Sequence, residues 1–351
     1  MTQPFTYTKV RLKAYGYQLP PHVVTSQDLE ERLTPLYRSL RIKKGQLVAL
    51  TGICYRRFWE AGFPMSVGAL KAADKALSKA GMTGGDLEML VYGGVCRDHL
   101  EPATACVVAD GIGLNTGAQL FDLSNACLGV LNGMVMVANA IELGQIRTGM
   151  VVSSESARGI VFQTIQRMLA ANDMTIFKQC LATLTGGSGA VAVILGDDSI
   201  APAGSRLMGG VAMNDTRHHR LCTWGPDTGV AAAGATVMNT DAVGVLKNGV
   251  VLGHRTYRRF QDAFLDSNGM PDKIICHQVG ASHQKTILET LRIPPERDFS
   301  TYRFLGNIGT VSLPITMAMA DERGFFAPGD LVGLFGIGSG LNCLLLGLRW
   351  A

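Results

Sequence analysis

A cysteine stands where an apolar strand gives way to a long amphipathic helix, in Phe121-Asp122-Leu123-Ser124-Asn125-Ala126-Cys127-Leu128-Gly129. The first N–H groups of a helix have no partner inside it, and the aligned peptide dipoles leave roughly half a positive charge at that end. Both favour thiolate over thiol, so Cys127 is expected to ionise more readily than a cysteine in an apolar core. Taken alone, it also fits a small buried hydrophobe. Three later segments weigh against that plainer reading. The apolar run Lys273-Ile274-Ile275-Cys276 delivers His277, Leu305-Gly306-Asn307-Ile308-Gly309 sets Asn307 between glycines, and Gly336-Ile337-Gly338-Ser339-Gly340 is a backbone-rich turn between apolar runs. A cysteine, a histidine, an asparagine and a glycine turn can together supply attack, proton handling and an oxyanion site.

The elements that must carry these residues follow from hydrophobic spacing. Val67, Leu70, Ala73, Leu77 and Ala80 predict a helix over 64–80, stopped by Gly81. Next come a buried strand over 87–92, the polar loop Arg97-Asp98-His99-Leu100-Glu101-Pro102, and a helix over 103–111 with Pro102 in its first turn. A strand over 119–123, the Cys127 helix ending near Leu143, and a strand over 149–153 complete the series. An irregular segment, 158–180, precedes a strand over 190–195. The second part repeats the order: a helix near 244–268, strand 273–276, helix 282–291, a short strand near 301–304, helix 312–320, and strands 331–335 and 342–348. Such alternation predicts an α/β fold with helices covering the sheet faces. Two similar halves, 1–198 and 199–351, are expected, divided where Gly196-Asp197-Asp198-Ser199 and Pro202 interrupt the periodicity.

Composition narrows the class. A chain of 351 residues with 47% hydrophobic and 17% charged residues can bury a large core, and its net charge of +4 includes no basic block suited to nucleic acid. The nearest candidate, Arg217-His218-His219-Arg220, reads as a solvated loop or as a contact for phosphates on a charged cofactor. Eight cysteines form no CxxC pair and no metal-ligand spacing, so no metal is expected. The first residues lack a signal core and no run of about 20 apolar residues occurs, so a cytoplasmic protein without a transmembrane segment is expected.

These segments, in this order, resemble the thiolase superfamily and, within it, the ketoacyl synthase III branch, over nearly the whole chain. Thr51-Gly52-Ile53 with Arg56-Arg57 resembles the early strand of that family, the run from Asp122 to Gly129 its nucleophile turn, and His277-Gln278, Gly306-Asn307 and Gly338-Ser339-Gly340 its remaining motifs. The resemblance implies a five-layered αβαβα fold of two pseudo-equivalent halves, usually a homodimer. It implies that Cys127 accepts an acyl group from a thioester, that the N–H groups of Cys127 and Ser339 hold the oxyanion, and that His277 and Asn307 polarise a second thioester. The stretch 96–104 with its carboxylate at Glu101, together with 124–128 and 336–343, is similar to the OleA group, the head-to-head acyl-CoA condensing enzymes of bacterial olefin biosynthesis. That similarity implies a Claisen condensation without decarboxylation, in which Glu101 removes the α-proton, in its own site or across a dimer interface. By itself Glu101 also fits a carboxylate favoured at a helix start.

The substrates so implied are two long-chain acyl-CoA molecules, giving a 2-alkyl-3-keto acid or its thioester for downstream olefin-pathway enzymes. No tightly bound cofactor is called for, and Arg56, Arg57, Arg217 and Arg220 are candidates for the coenzyme A phosphates. The apolar stripe over 160–169 and 174–177 reads as core, dimer contact or an acyl channel, with 15 methionines in the chain as adaptable lining. Three alternatives stay open: a decarboxylative 3-oxoacyl-[acyl-carrier-protein] synthase III, an acyltransferase to an oxygen or nitrogen acceptor, and an inert binder of acyl thioesters.

Overall fold

The computed structural model describes residues 3–226, 236–265 and 269–351. Its central strands are β1 (Arg11–Gln18), β2 (Met89–Gly93), β3 (Gln119–Leu123), β4 (Thr148–Glu155), β5 (Gly189–Gly196) and β6 (Ser205–Asn214). After a hairpin of β7 (Cys222–Pro226) and β8 (Thr236–Thr240) come β9 (Lys273–Cys276), β10 (Leu331–Gly338) and β11 (Asn342–Arg349). They run in the order β9-β10-β11-β6-β1-β5-β4-β2-β3, and Phe5–Thr6 adds a tenth strand beside β6. β9 with β10, and β4 with β2 and β3, are parallel, while the pairs between are antiparallel.

Helices pack as the alternation requires. The main ones are α1 (Met65–Ala80), α2 (Thr104–Ile112), α3 (Gly129–Glu142), α4 (Arg158–Ala171), α5 (Met174–Cys180), α6 (Ala242–Phe264), α7 (Ala281–Leu291) and α8 (Ser312–Glu322). Successive strand residues face opposite ways. In β5, Val191, Val193 and Leu195 meet α3 and α8, while Ala190, Ala192 and Ile194 meet α1 and α2. In β11, Leu344, Leu346 and Leu348 join the α3 and α8 side, while Cys343 and Leu345 meet α6 and α7. The result is five layers with α3 and α8 in the middle. Every residue of α8 from Ser312 to Ala320 is buried, as befits a helix between two sheet faces.

Several expectations are corrected. Residues 158–180 are not irregular: Ile160, Val161, Ile165 and Met168 of α4 pack with Leu29, Tyr37, Phe58 and Phe177 in a separate core. Asn172 breaks the run with φ +47°, and the Asp173 carboxylate caps α5 by accepting from Thr175 N and Ile176 N. The strand expected near 301–304 is a helical turn, Tyr302–Leu305, because the Gln278 side-chain oxygen takes the N–H groups of Thr301 and Tyr302 that a strand would have offered its neighbour. A lone bridge between Ile274 and Asp298 is the only sheet pairing found beside β9 on that side, among the described residues. Pro102 lies ahead of the cap residue Ala103, outside α2.

The start of α3 touches the end of β2 through two glycines. A β-carbon at Gly93 would sit 2.7 Å from Gly129 O, closer than any side chain tolerates. Gly93→Ala is therefore expected to destabilise the fold by on the order of 1–3 kcal/mol in urea titration, as overpacking does. An unchanged midpoint would contradict this packing.

Candidate active site

The turn between β3 and α3 is tied down from both sides. Ala126, immediately ahead of Cys127, adopts φ +47°, a left-handed conformation that costs an L-residue roughly 1–2 kcal/mol. Leu128 N donates to Asn125 O at 2.9 Å, and Asn125 Nδ2 donates to Asn132 Oδ1 at 2.8 Å. From the other half, Asn342 Nδ2 lies 3.1 Å from both Asn125 Oδ1 and Ser339 O, and Thr310 Oγ1 accepts from Val130 N at 2.7 Å. A β-carbon added at Gly338 would be 3.3 Å from Cys127 N, so the end of β10 lies directly against the nucleophile turn.

Cys127, Asn307 and Ser339 line one cavity of about 440 Å³, together with Glu155, Thr310, Cys222, Trp224 and Met238. Asn307 is fixed by three contacts: its N–H donates to Thr185 O, its carbonyl accepts from Gly187 N, and its Oδ1 accepts from Gly309 N at 3.1 Å. That leaves the Nδ2 donors for the cavity. The preceding Gly306 has φ +69°, and a β-carbon there would fall 2.4 Å from Thr185 O, so only glycine can deliver Asn307 along this path. His277 is 8% exposed and its main-chain N–H donates to Phe335 O at 2.9 Å. It borders a second, small apolar cavity of about 40 Å³ with Ile287, Phe335, Gly336 and Ile337, and is not among the residues lining the first.

The electrostatics overturn one expectation. Although the cavity leaves Cys127 partly accessible, desolvation by the surrounding protein, then Cys222 and Glu155, push its thiol up to about 12, the value that burial also gives the core thiol of Cys343. Position at a helix start does not make it a resting thiolate here, because desolvation outweighs the favourable end of the helix and Cys222 and Glu155 oppose negative charge further. Burial, and next the neighbouring His283, push His277 down to about 4, which keeps its imidazole neutral.

The remaining candidates lie elsewhere. Glu101 is exposed and does not line the Cys127 cavity of its own chain. Arg56 is corrected as a phosphate contact: it is 1% exposed, its guanidinium donates to Ser26 Oγ and Leu184 O, and burial alone pushes it down to about 10. Arg57 donates to Pro20 O, and Arg217 forks onto the Asp215 carboxylate. Exposed Arg220 lines a cleft with Lys178 and Asn239. Asp122 caps α2 through Thr104 N and Ala105 N and is structural. Sequence reasoning missed Glu155 and Thr310; a lone acid closing the apolar run of β4 was the one available signal for the former. Ile160 is the only residue of the 160–169 stripe that reaches the cavity among the described residues, the rest being mainly core.

The family model for the C-terminal part of 3-oxoacyl-[acyl-carrier-protein] synthase III matches residues 267–350. An acyl-CoA:acyl-CoA alkyltransferase of Shewanella oneidensis is 51% identical over 347 residues, 98% of this chain and 99% of that one. Its counterpart from Xanthomonas campestris is 34% identical, covering 94% and 95%. A crystal structure of Xanthomonas campestris OleA with bound lauric acid and lauroyl-CoA, a cysteine-to-serine variant, superposes with a TM-score of 0.91 at 32% identity over 98% of this chain and all of that one. Other structures of the same protein carry a cysteine-to-alanine, a glutamate-to-glutamine or a histidine-to-alanine replacement.

A stability profile tests the buried neutral His277. Its folded pKa lies below the unfolded value of about 6.5, so its contribution is complete above about pH 6.5 and is lost as pH falls toward 4. Between pH 7 and 4 the wild type should lose on the order of 3 kcal/mol more than His277→Asn in urea unfolding. Equal losses would place the imidazole in solvent.

Proposed function

The chain belongs to the ketoacyl synthase III family, in its acyl-CoA:acyl-CoA alkyltransferase (OleA) branch, and from that premise we propose that it joins two long-chain acyl-CoA molecules head to head. The reaction is a Claisen condensation without loss of carbon dioxide, giving a 2-alkyl-3-keto acid or its thioester as a first step toward long-chain olefins. The observation that carries this reading is the meeting of Cys127, Ser339 and Asn307 in one cavity, in a fold shared with a protein crystallised with lauroyl-CoA.

In the first half-reaction the Cys127 thiol gives up its proton and its sulfur attacks the thioester carbon. The N–H groups of Cys127 and Ser339 hold the oxyanion, and coenzyme A leaves as the thiol. Fixed backbone donors of this kind contribute several kcal/mol in a water-poor site, about 3 per donor. In the second, the Asn307 Nδ2–H and the neutral His277 imidazole donate to the carbonyl oxygen of the incoming acyl-CoA while Glu101 takes its α-proton. The carbanion attacks the acyl-Cys127 carbon, the new C–C bond forms, and the cysteine sulfur leaves and is reprotonated, giving the 2-alkyl-3-ketoacyl-CoA thioester, from which water releases the free acid and the second coenzyme A. His277 supports this role by position: Gly336 and Ile337 border its cavity and Ser339 borders that of Cys127, so one strand end separates the two. The Xanthomonas campestris protein was crystallised with a cysteine, a histidine or a glutamate replaced, the same three residue types as in this proposal.

Glu101, exposed in its own chain, acts in the site of a second copy. β3 is the last strand of the sheet, and Leu100 and Val107 leave apolar surface exposed, Leu100, next to Glu101, at 85%. A homodimer joined along β3 would cover both. Arg220, with Lys178 beside the hairpin whose Trp224 and Met238 line the cavity, takes the coenzyme A phosphates in this reading. Residues 1–198 and 199–351 form its two halves. Eight unpaired cysteines suit a reducing compartment such as the cytoplasm, and no helix among the described residues is long and apolar enough to cross a membrane.

Myristoyl-CoA alone should leave an acyl adduct on the intact protein, absent from Cys127→Ala, and should yield free coenzyme A and a branched β-keto product. Glu101→Ala should still acylate and should condense about 10²-fold or more slowly, the usual worth of a general base. A strict requirement for malonyl thioester would instead establish the decarboxylative reaction.

A further inference from the structure

Glu155 ends β4 as a carboxylate that is 4% exposed, on the wall of the Cys127 cavity. It has no cationic partner among the described residues. Its two oxygens serve main-chain donors instead: Oε1 accepts from Val95 N at 2.8 Å and Oε2 from Cys96 N at 3.3 Å. Around this pair the same segment is pinned by Tyr92, whose hydroxyl donates to Cys96 O at 2.7 Å, and by Cys96 Sγ against Ser156. Two residues on, the Asp98 carboxylate accepts from Met65 N and Ser66 N at the start of α1. His99, Leu100 and Glu101 then project as exposed residues.

A buried carboxylate held by two neutral donors is costly, and an apolar residue would fill the wall at lower cost. Both donors point at it, however, so the position demands two acceptors. A glutamine there would turn its NH2 toward one of the N–H groups and leave that donor unpaired. We propose that Glu155 is a positioning residue, which anchors the main chain at Val95 and Cys96 and thereby sets where Glu101 leaves the subunit. The inference rests on the reading above that Glu101 serves the partner's cavity. It assigns to Glu155 an effect on a thiol that belongs to the other copy, although Glu155 itself lies beside the thiol of its own.

Differently tagged subunits, co-expressed and purified as mixed dimers, separate the two ideas by condensation of myristoyl-CoA. Pairing Cys127→Ala with Glu101→Ala tests the reading: the one working thiol is served by the intact Glu101 opposite, and about half the wild-type rate is expected, one site of two. Pairing Cys127→Ala with Glu155→Gln should likewise restore about half, because the loosened loop then serves only the dead site. Its activity also shows that the Glu155→Gln subunit folds, since that subunit holds the only nucleophile. Placing Cys127→Ala and Glu155→Gln in one chain opposite a wild-type chain should fall about tenfold or more below that, as a misplaced base does. The reverse pattern, a dead second dimer and a half-active third, would overturn the inference and assign Glu155 to its own cavity. So would a Glu155→Gln homodimer as active as the wild type. An inactive first dimer would remove the reading in trans, and the inference with it.

Discussion

One amide group ties the turn that carries Cys127 to the glycine turn more than 200 residues further along the chain. Asn342 Nδ2 reaches Asn125 in the nucleophile turn and Ser339 in the glycine turn at the same distance, 3.1 Å, and Thr310 adds a second tie to Val130 at the start of α3. In the proposed reaction the thiol comes from the earlier part of the chain and Asn307, His277 and the Ser339 N–H from the later part, so neither would hold a complete set. Packing α3 and α8 back to back in the middle layer brings these segments together, and in the proposed reaction the polar ties would set the oxyanion donors to the fraction of an ångström that such stabilisation requires. The left-handed bend at Ala126 persists because that surrounding framework over-determines it.

Neither the nucleophile nor the imidazole carries charge before substrate arrives. Burial keeps Cys127 a thiol and His277 a neutral imidazole, so in the proposed reaction both the thiolate and the oxyanion exist only during the chemical steps. Once substrate fills the cavity and displaces water, every fixed dipole around them acts more strongly. The cost is that the first proton must be removed in the same event as attack, with the departing coenzyme A sulfur as its eventual acceptor.

Much of this was legible in the sequence because the informative residues are those whose backbone is constrained. Gly306-Asn307, Gly338-Ser339-Gly340 and the run around Cys127 announce themselves as turns between apolar segments, and β3 and β9 were placed residue for residue. What was not legible depends on tertiary contact. Nothing local distinguishes Arg56, wholly buried, from Arg57, half-buried beside it, or tells that Gln278 takes the N–H groups of Thr301 and Tyr302 and converts a strand into a turn. β1 and β6, which join the halves through Leu12 and Ser205, carry too many glycines and polar residues to read as central strands. The ionisation of Cys127 was misjudged for the same reason: a helix start predicts a favourable dipole, while the packing around it decides desolvation.

In the proposed reaction an acyl group is bound to Cys127 with its carbonyl oxygen in a pocket of backbone donors. A crystal structure of the protein acylated by myristoyl-CoA, in the Glu101→Ala background to halt the second step, tests it most directly. The thioester oxygen should lie about 3 Å from both Cys127 N and Ser339 N, with the alkyl chain leading away from Asn307. A chain held without a bond to sulfur 127, or an oxygen turned away from both amides, would contradict it.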